Sequence, residues 1–284
     1  TMDDLIFLNG DFISKSNAQI SIMDRGFLFG DGVYELIPIY NGKIFLIDKH
    51  LSRLENSLKL INMESNFTEI VNIKGTIEHL VQTNNYKNIF IYIHITRGIQ
   101  SQRQHIYPSE IKPTVLVMGE QYHSFTMEQI NKGFKACIQN DYRWAKSNIK
   151  SISLLGNVLL KNLAAEQGMF ETILMKNNKL TEGSASNVFI VKNKIIQTPK
   201  LSNELLPGVT RNLIIGLLKD KNFQVKECDI SVDDVKNADE VWCSSSTNEV
   251  VPIVNIDDNQ INHGLVGDVT LKTYQLVQDF INNY

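Results

Sequence analysis

Isoleucine occupies every second position from Ile89 to Ile95, with Phe, Tyr and His between. Successive side chains of a β-strand point to opposite faces, so this alternation predicts a strand with one face against an apolar core. Two Asn-Gly pairs, beginning at Asn9 and Asn41, favour the positive φ angles of tight hairpin turns. The strands that they join are predicted at Leu5–Leu8 with Asp11–Ser14 and at 33–40 with 43–47. The chain therefore begins with a sheet.

Apolar residues at three- and four-residue spacing then predict two helices. Asp48 is the predicted N-cap of the first helix, and Arg53 lies off its apolar stripe. That stripe consists of Leu51, Leu54, Leu58 and Ile61, and the second helix is predicted from Ile70, Ile73, Ile77 and Leu80. A further strand at 114–118 completes a first group of elements.

The second half of the chain repeats strand and helix signals. Strands are predicted at 134–139, 172–175, 179–181, 187–191, Val225–Cys228 and 240–243, and helices at 157–167, Val209–Asp220 and 267–281. A length of 284 residues is more than one core usually organises. We interpret the chain as a mixed α/β (α+β) protein with a domain at 1–118, a polar linker at 119–127 and a second domain at 128–284.

Composition disfavours several function classes. A net charge of −3 gives no basic face for nucleic-acid phosphates or anionic lipid. Cys137, Cys228 and Cys243 are odd in number and widely spaced, which favours neither disulfides nor a zinc site. The apolar run Leu5–Leu8 is too short for a signal sequence or a membrane span. We expect a cytoplasmic protein without a metal, whose partners are small molecules or a second copy of itself.

Lys150 stands between Ile149 and Ile152 beside small hydroxyl residues. Apolar neighbours remove water from an ammonium group and favour the neutral amine, which is a nucleophile and a Schiff-base former. A lysine in such a place more often extends to solvent from a strand. Glu182 poses the same choice, since it lies among small residues before an apolar strand and could simply end a hairpin in solvent.

Two further stretches suggest binding of an anion. Pro207 and Gly208 lead into a helix whose first residues, Val209 and Thr210, would present free N–H groups. Ser246 and Thr247 follow a strand in a run of hydroxyl residues. Either stretch alone is equally typical of an ordinary turn. Together with Lys150, Glu182 and Arg53, they provide the amine, acid and cation that pyridoxal phosphate chemistry needs.

These residues resemble the fold-type IV pyridoxal-phosphate enzymes, and within them the D-amino-acid aminotransferases. The segment 24–35, DRGFLFGDGVYE, resembles the opening signature of that family, and the segment 50–54 resembles its phosphate-arginine helix. The remaining matches are Lys150 with Ser151 and Asn157, and the segments 181–189, 207–211 and 245–247. They cover nearly the whole chain in the expected order.

The resemblance implies a role for each of these residues. Lys150 would be the Schiff-base lysine and proton shuttle, and Glu182 would face the pyridine nitrogen. Arg53, Val209, Thr210, Ser246 and Thr247 would hold the rest of pyridoxal 5′-phosphate, mainly its phosphate. Tyr34, Arg103 and His105 would bind the substrate, with Arg103 and His105 on its α-carboxylate.

The resemblance also implies a smaller N-terminal α/β sandwich, a larger C-terminal barrel-like α/β domain, the cofactor between them, and a homodimer. The implied reaction is transamination between a D-amino acid such as D-alanine and a 2-oxo acid such as 2-oxoglutarate. Branched-chain L-amino-acid aminotransferases and aminodeoxychorismate lyases share this fold and remain alternatives. A cofactor carrier without turnover, or an unrelated module that binds sugar or nucleotide phosphates, would leave Lys150 and Glu182 without a task.

Overall fold

The alternating isoleucines lie in the interior of a six-stranded antiparallel sheet. The computed structural model describes residues 4–63, 67 and 71–284, and the strand order of this sheet is β2-β1-β6-β5-β3-β4. Its strands are β1 (Leu5–Leu8), β2 (Asp11–Ser14), β3 (Gly32–Tyr40), β4 (Lys43–Ile44), β5 (Ile89–Thr96) and β6 (Thr114–Gln121). Ile91, Ile93 and Ile95 are buried, whereas Tyr92 and His94 between them are half-buried. The predicted half-buried strand is confirmed.

Three helices accompany this sheet: α1 (Arg25–Phe29), α2 (Ile47–Leu60) and α3 (Ile73–Thr83). A single-turn 3₁₀ helix, Lys15–Asn17, follows β2. Leu54 and Leu58 of α2 and Ile77 of α3 share one apolar core with the isoleucines of β5. Ile70, which was predicted to belong to α3, lies outside the described residues.

The start of α2 differs from the prediction. The strand predicted at 43–47 ends at Ile44, and the helix begins at Ile47 rather than after Asp48. Leu46 is the N-cap and adopts a left-handed conformation with φ 51°, which turns the chain sharply and allows Ile47 to be buried. Asp48 lies in the first helical turn, where a carboxylate favours the helix dipole.

A buried ion network fixes α2 against β3. Arg53 of α2 donates from Nε to Glu35 Oε1 at 2.6 Å and from Nη2 to Glu35 Oε2 at 2.9 Å. His50 Nδ1 lies 2.9 Å from the same Oε2. Burial alone would raise the pKa of Glu35, but Arg53 and His50 hold that pKa well below its usual range. Arg53 was predicted off the apolar stripe of the helix, yet it is buried because Glu35 compensates its charge.

The segment around Lys150 belongs to the first compact unit, which comprises the chain up to Tyr122 together with Ile149–Leu154. The N–H of Tyr34 donates to the carbonyl of Lys150 at 2.9 Å, and the N–H of Ile152 donates to the carbonyl of Gly32 at 3.1 Å. At Gly32, a Cβ would lie 2.3 Å from the Ile95 oxygen, so only glycine fits this close approach. Sequence periodicity had placed this segment in the domain at 128–284, because backbone pairing between distant segments leaves no local signal.

The second compact unit contains a nine-stranded mixed sheet. Its strands are β7 (Phe134–Asn140), β8 (Glu171–Lys176), β9 (Lys179–Gly183), β10 (Asn187–Lys192), β11 (Ile195–Pro199), β12 (Val225–Cys228), β13 (Glu240–Ser245), β14 (Glu249–Ile256) and β15 (Asn259–Gln260). The order is β12-β11-β10-β13-β14-β7-β8-β9, with β15 beside β14. At one end of this order, β9 approaches β10 and β11, so the sheet curls into a half-barrel. The predicted fold class is confirmed.

Five helices belong to this unit: α4 (Met127–Lys132), α5 (Leu155–Glu166), α6 (Val209–Asp220), α7 (Val232–Lys236) and α8 (Asp268–Asn283). A 3₁₀ helix, Asn262–Gly264, precedes α8. Both faces of the sheet are covered. In β10, for example, Val188 and Ile190 join one apolar cluster, whereas Phe189 joins a second cluster with residues of α6 and α8.

Several elements of this unit were not predicted. Pro252 lies inside β14 opposite Trp242, and a proline normally argues against a strand. The short helix α4 depends on a capping box between Thr126 and Gln129 rather than on apolar periodicity. Residues 122–126 separate β6 from α4, so the predicted linker 119–127 overlaps the ends of both elements. The helix predicted at 157–167 begins two residues earlier, at Leu155.

We expect Glu35→Gln to lower the free energy of unfolding by about 3–5 kcal/mol, because it leaves Arg53 buried without its compensating charge. Urea titration monitored by circular dichroism measures this change. Lys49→Gln, at an exposed position of the same helix, is the control and should change stability by less than about 0.5 kcal/mol.

The effect of Glu35 should depend on pH. Its folded-state pKa is depressed, so its contribution is complete above the unfolded-state pKa of about 4.3 and is lost as pH falls toward the folded-state pKa. The stability difference between wild type and Glu35→Gln should therefore shrink below about pH 4. A difference independent of pH would show that the carboxylate charge is not the stabilising feature.

Candidate active site

Lys150 meets Tyr34 in the first unit. The Lys150 Nζ atom lies 4.2 Å from the centre of the Tyr34 ring, a cation–π contact that fixes the end of the side chain. The backbone N–H of Lys150 donates to Ser57 Oγ at 3.2 Å, which ties the segment to α2. Within the described ranges, no carboxylate forms an ion pair with Lys150. Its half-buried amine is therefore held in place without a counter-charge.

A tyrosine–histidine pair lies beside Tyr34 on the neighbouring strand. The Tyr92 ring is 6.0 Å from the Tyr34 ring, and Tyr92 Oη lies 2.7 Å from His94 Nδ1. Burial raises the pKa of Tyr92 to about 12, with a contribution from Tyr34, so Tyr92 keeps its proton at neutral pH. The sequence indicated these two residues only as the polar side of an alternating strand.

Arg103 and His105 gather around one aromatic ring. Arg103 Cζ lies 5.0 Å from the centre of the Phe29 ring, and the His105 ring lies 5.3 Å from the same centre. Both side chains remain exposed to solvent. The loop therefore presents a cation and an imidazole together, which is a suitable arrangement for a carboxylate ligand.

Glu182 is buried in the second unit with three hydrogen-bond donors. Arg143 Nη1 donates to Oε1 at 2.7 Å, while the N–H of Leu206 and Asn187 Nδ2 donate to Oε2 at 3.0 and 3.4 Å. Burial raises the pKa of this carboxyl to about 7, although Arg143 and the Leu206 N–H act in the opposite direction. A further donor with a positive charge would complete its ionisation.

Arg143 connects Glu182 to a second carboxylate, Asp141. Its Nε and Nη2 atoms donate to the two oxygens of Asp141 at 2.9 and 2.8 Å. Burial alone would lower the pKa of Arg143, but the two carboxylates raise it above its usual range. Sequence reasoning missed both residues. They lie about forty positions before Glu182, and no spacing rule joins such distant partners.

The start of α6 provides free donors. Gly208 is the N-cap, and no side chain caps the helix. Among the described residues, nothing accepts a hydrogen bond from the N–H of Val209 or Thr210. A Cβ on Gly208 would lie 2.1 Å from Asn187 Oδ1, so this turn requires glycine. Open N–H groups at the end of a twelve-residue helix favour an anion.

Ser246 and Thr247 follow β13 in a turn that leads into β14. Thr247 Oγ1 lies 2.9 Å from Ser245 Oγ, and Asn248 Nδ2 donates to Thr247 Oγ1 at 3.2 Å. Ser244, just before them, is buried with an Oγ atom that finds no partner in the described chain. Such an orphaned hydroxyl marks a place where a polar ligand or water is bound.

Each predicted site residue can thus be placed in one unit. Tyr34, Arg53, Arg103, His105 and Lys150 belong to the first unit, and Glu182, Val209, Thr210, Ser246 and Thr247 belong to the second. Inside the first unit, Lys150 meets Tyr34 and Arg103 meets His105 at Phe29. No group of three or more His, Cys, Asp or Glu residues in the described ranges could hold a metal ion. Nor does any helix there have the length and apolarity to cross a membrane.

Known relatives resemble this chain along nearly its whole length. A D-alanine aminotransferase of Staphylococcus haemolyticus is 37% identical over 280 residues, which are 98% of this chain and 97% of that protein. A D-alanine aminotransferase of Listeria monocytogenes serotype 4b (strain F2365) is 35% identical over 271 residues, covering 95% and 93% of the two chains.

Solved structures show the same fold. A branched-chain amino acid aminotransferase from a T.th. strain, with pyridoxamine 5′-phosphate, matches with a TM-score of 0.90 at 25% identity, covering 98% of this chain and 94% of that one. A branched-chain amino acid aminotransferase from Escherichia coli matches with a TM-score of 0.87 at 25% identity, covering 96% and 92%. The family description Amino-transferase class IV matches residues 32–256. On these similarities, the chain belongs to the class IV aminotransferases.

Proposed function

We propose that this chain transfers an amino group between a D-amino acid, such as D-alanine, and a 2-oxo acid, such as 2-oxoglutarate. The observation that carries the proposal is the 35–37% identity, over nearly complete lengths, to proteins named D-alanine aminotransferase. The amine of Lys150, held over Tyr34 without an ion-pair partner in the described chain, is consistent with it.

The side chains fit pyridoxal 5′-phosphate as the cofactor. The open N–H groups of Val209 and Thr210 and the orphaned Ser244 hydroxyl are suited to polar ligand atoms. Glu182 has a pKa of about 7 and would ionise fully beside a protonated ring nitrogen. When bound, the cofactor supplies an electron sink for the negative charge left by α-proton removal.

Within this proposal, Lys150 takes the substrate α-proton at Nζ and returns it to the opposite partner. Tyr34 keeps Nζ in place through its ring. Glu182, oriented by Arg143, keeps a positive charge on the ring nitrogen. Arg53, oriented by Glu35, and the N–H groups of Val209 and Thr210 bind phosphate, and the turn with Ser246 and Thr247 binds beside them.

Substrate handedness depends on where the α-carboxylate is held. We assign that carboxylate to Arg103 and His105, which stand together at Phe29, with Tyr34 lining the same substrate. The alternative is an L-specific branched-chain aminotransferase, which the fold similarity to proteins of that name favours. The identity to the D-alanine aminotransferases is higher, and this favours the D-specific reaction.

We further propose that the protein acts as a homodimer. In the first unit, Ile22, Phe27 and Ile106 are large apolar side chains that are about three-quarters exposed. In the second unit, α5 exposes Leu155 and Leu159 on one face. Exposed apolar patches of this kind mark protein interfaces. Sedimentation equilibrium at the mass of one chain, 32.3 kDa, would contradict a dimer.

A reducing compartment such as the cytoplasm is part of the proposal. Cys137, Cys228 and Cys243 are all free thiols, and Cys137 and Cys243 are buried. Proteins of oxidising compartments more often pair their cysteines. Recovery of the native protein in the membrane or secreted fraction of its source cells would contradict this location.

Lys150→Ala should abolish transamination of D-alanine, with a fall in kcat of about 10⁴-fold or more, because the variant lacks both the nucleophilic amine and the proton shuttle. The visible absorption of the lysine-bound cofactor should disappear with it. Lys146→Ala, at an exposed position four residues earlier, is the control and should keep both. Turnover by Lys150→Ala would disprove the assignment.

Glu182→Gln should keep the cofactor bound but lower kcat by about tenfold to a thousandfold, because a neutral partner no longer favours a charged ring nitrogen. A larger isotope effect with α-deuterated D-alanine would locate the loss in proton removal. Glu166→Gln, an exposed carboxylate on α5, is the control. A native rate for Glu182→Gln would exclude the electrostatic role.

Arg103→Ala should lower kcat/KM for D-alanine by about tenfold to a hundredfold, mainly by raising KM, because a charge-assisted hydrogen bond to the carboxylate is lost. Cofactor affinity should not change. Gln102→Ala, whose side chain is exposed and adjacent, is the control. The decisive comparison is the substrate: a wild-type protein that uses L-leucine with 2-oxoglutarate and ignores D-alanine would establish the branched-chain alternative.

A further inference from the structure

Arg25 forms the buried centre of the loop that carries Arg103 and His105. It is only 3% exposed, although it is the first residue of the short helix α1. Its Nη1 atom donates to the carbonyl of Gln104 at 2.8 Å, and its Nη2 atom donates to the carbonyl of His105 at 2.9 Å. One planar guanidinium thus holds two consecutive carbonyls of the loop.

Gln100 extends this hold over the first half of the loop. Its Oε1 atom accepts from Arg25 Nη1 at 2.7 Å, and its Nε2 atom donates to the carbonyls of Gln102 and Gln104 at 2.6 and 2.9 Å. Gln100 is 5% exposed, whereas residues 101–105 are exposed. The carbonyls on both sides of Arg103 therefore point inward to buried donors, so the side chains between them point to solvent.

The same guanidinium also fixes the ring on which the two side chains rest. Arg25 Cζ lies 4.8 Å from the centre of the Phe29 ring, which Arg103 and His105 approach at 5.0 and 5.3 Å. Asp31 anchors Arg25 itself by accepting from Nε at 2.7 Å. Backbone and aromatic contacts thus determine where Arg103 and His105 stand.

We propose that Arg25 is a specificity-determining positioning residue, which shapes the 100–105 loop so that Arg103 and His105 together receive the α-carboxylate of the D-substrate. The inference rests on the proposed function, because it assumes that these two side chains bind that carboxylate. Arg25 itself touches no reacting atom. Its effect is to remove the ordering cost that a free loop would incur on binding.

Arg97 provides the matched comparison. It is also buried, at 5% exposure, and donates from Nε to the same Asp31 oxygen at 2.9 Å. Its Nη2 atom, however, donates to the carbonyl of Ile61 at 2.7 Å, outside the loop. Arg97→Lys therefore disturbs the same ionic cluster without releasing the carbonyls of Gln104 and His105.

The kinetic test compares Arg25→Lys, Arg97→Lys and Arg103→Ala with wild type in the cofactor-loaded enzyme. A lysine keeps the charge of Arg25 but cannot bond two carbonyls as a fork. We expect Arg25→Lys to raise KM for D-alanine by about tenfold or more, as Arg103→Ala does, with kcat changed less than about threefold. Arg97→Lys should show a KM close to that of wild type.

Proteolysis tests the loop without reference to activity. Trypsin cleaves after arginine, and Arg103 is the exposed arginine of the anchored loop. Arg25→Lys should increase the rate of cleavage at Arg103 by about tenfold or more, while the thermal midpoint by circular dichroism stays near that of Arg97→Lys. If Arg25→Lys does not fold, Gln100→Ala releases the carbonyls of Gln102 and Gln104 and should give the same two results.

The outcomes separate this inference from the proposed function. If Arg103→Ala raises KM but Arg25→Lys and Gln100→Ala leave both KM and cleavage unchanged, the inference is wrong and the proposed function stands. If cleavage at Arg103 increases while neither Arg25→Lys nor Arg103→Ala affects KM, the loop does not bind the carboxylate, and both are wrong in that respect. A rise in KM together with faster cleavage supports the inference.

Discussion

The carboxylate of Glu35 is the buried charge on which the first unit depends. It lies on β3 next to Tyr34, and it receives the guanidinium of Arg53 and the imidazole of His50 from α2. Because neither helix cation can be buried alone, the strand and the helix must meet in this register. The same strand then pairs with the Lys150 segment through the N–H of Tyr34. One ion network thus places the helix, the aromatic ring and the amine together.

Glu35 and Glu182 show how two buried carboxylates in one chain differ in ionisation. Arg53 bonds both oxygens of Glu35, and His50 adds a third contact, so the pKa of Glu35 stays well below its usual range. Arg143 gives two of its nitrogens to Asp141 and only one to Glu182, and the negative charge of Asp141 also opposes ionisation. The first carboxylate is therefore a permanent structural anion, whereas the second, with a pKa of about 7, can respond to a positively charged ligand.

Buried arginines have a different function in the 100–105 loop. Arg25 and Gln100 occupy backbone carbonyls of a loop whose side chains are exposed, so the loop keeps a defined shape without an apolar core of its own. The cost of ordering is met when the protein folds. An exposed loop of this kind can present Arg103 and His105 in one orientation before any ligand arrives.

Much of the fold and of the candidate site follows from local sequence. The isoleucine alternation predicted β5, the Asn-Gly pairs predicted both N-terminal hairpins, and apolar spacing predicted α6 with its ends at Val209 and Asp220. Motif resemblance named Lys150, Glu182 and Arg53, because each lies in a short segment with its characteristic neighbours. These features depend on residues within one turn, one strand or one motif.

Only the tertiary structure decided which residues assist them. Arg143 reaches Glu182 across 39 positions, Arg25 reaches His105 across 80, and Glu35 reaches Arg53 across 18. Elements such as β14, with Pro252 inside it, also form because neighbouring strands pair with them and not because of their own propensity. The sequence by itself determined the local elements and the reactive groups. The distant buried partners that orient those groups were decided by tertiary folding, because a buried charge is stable only beside the counter-charge that the fold brings to it.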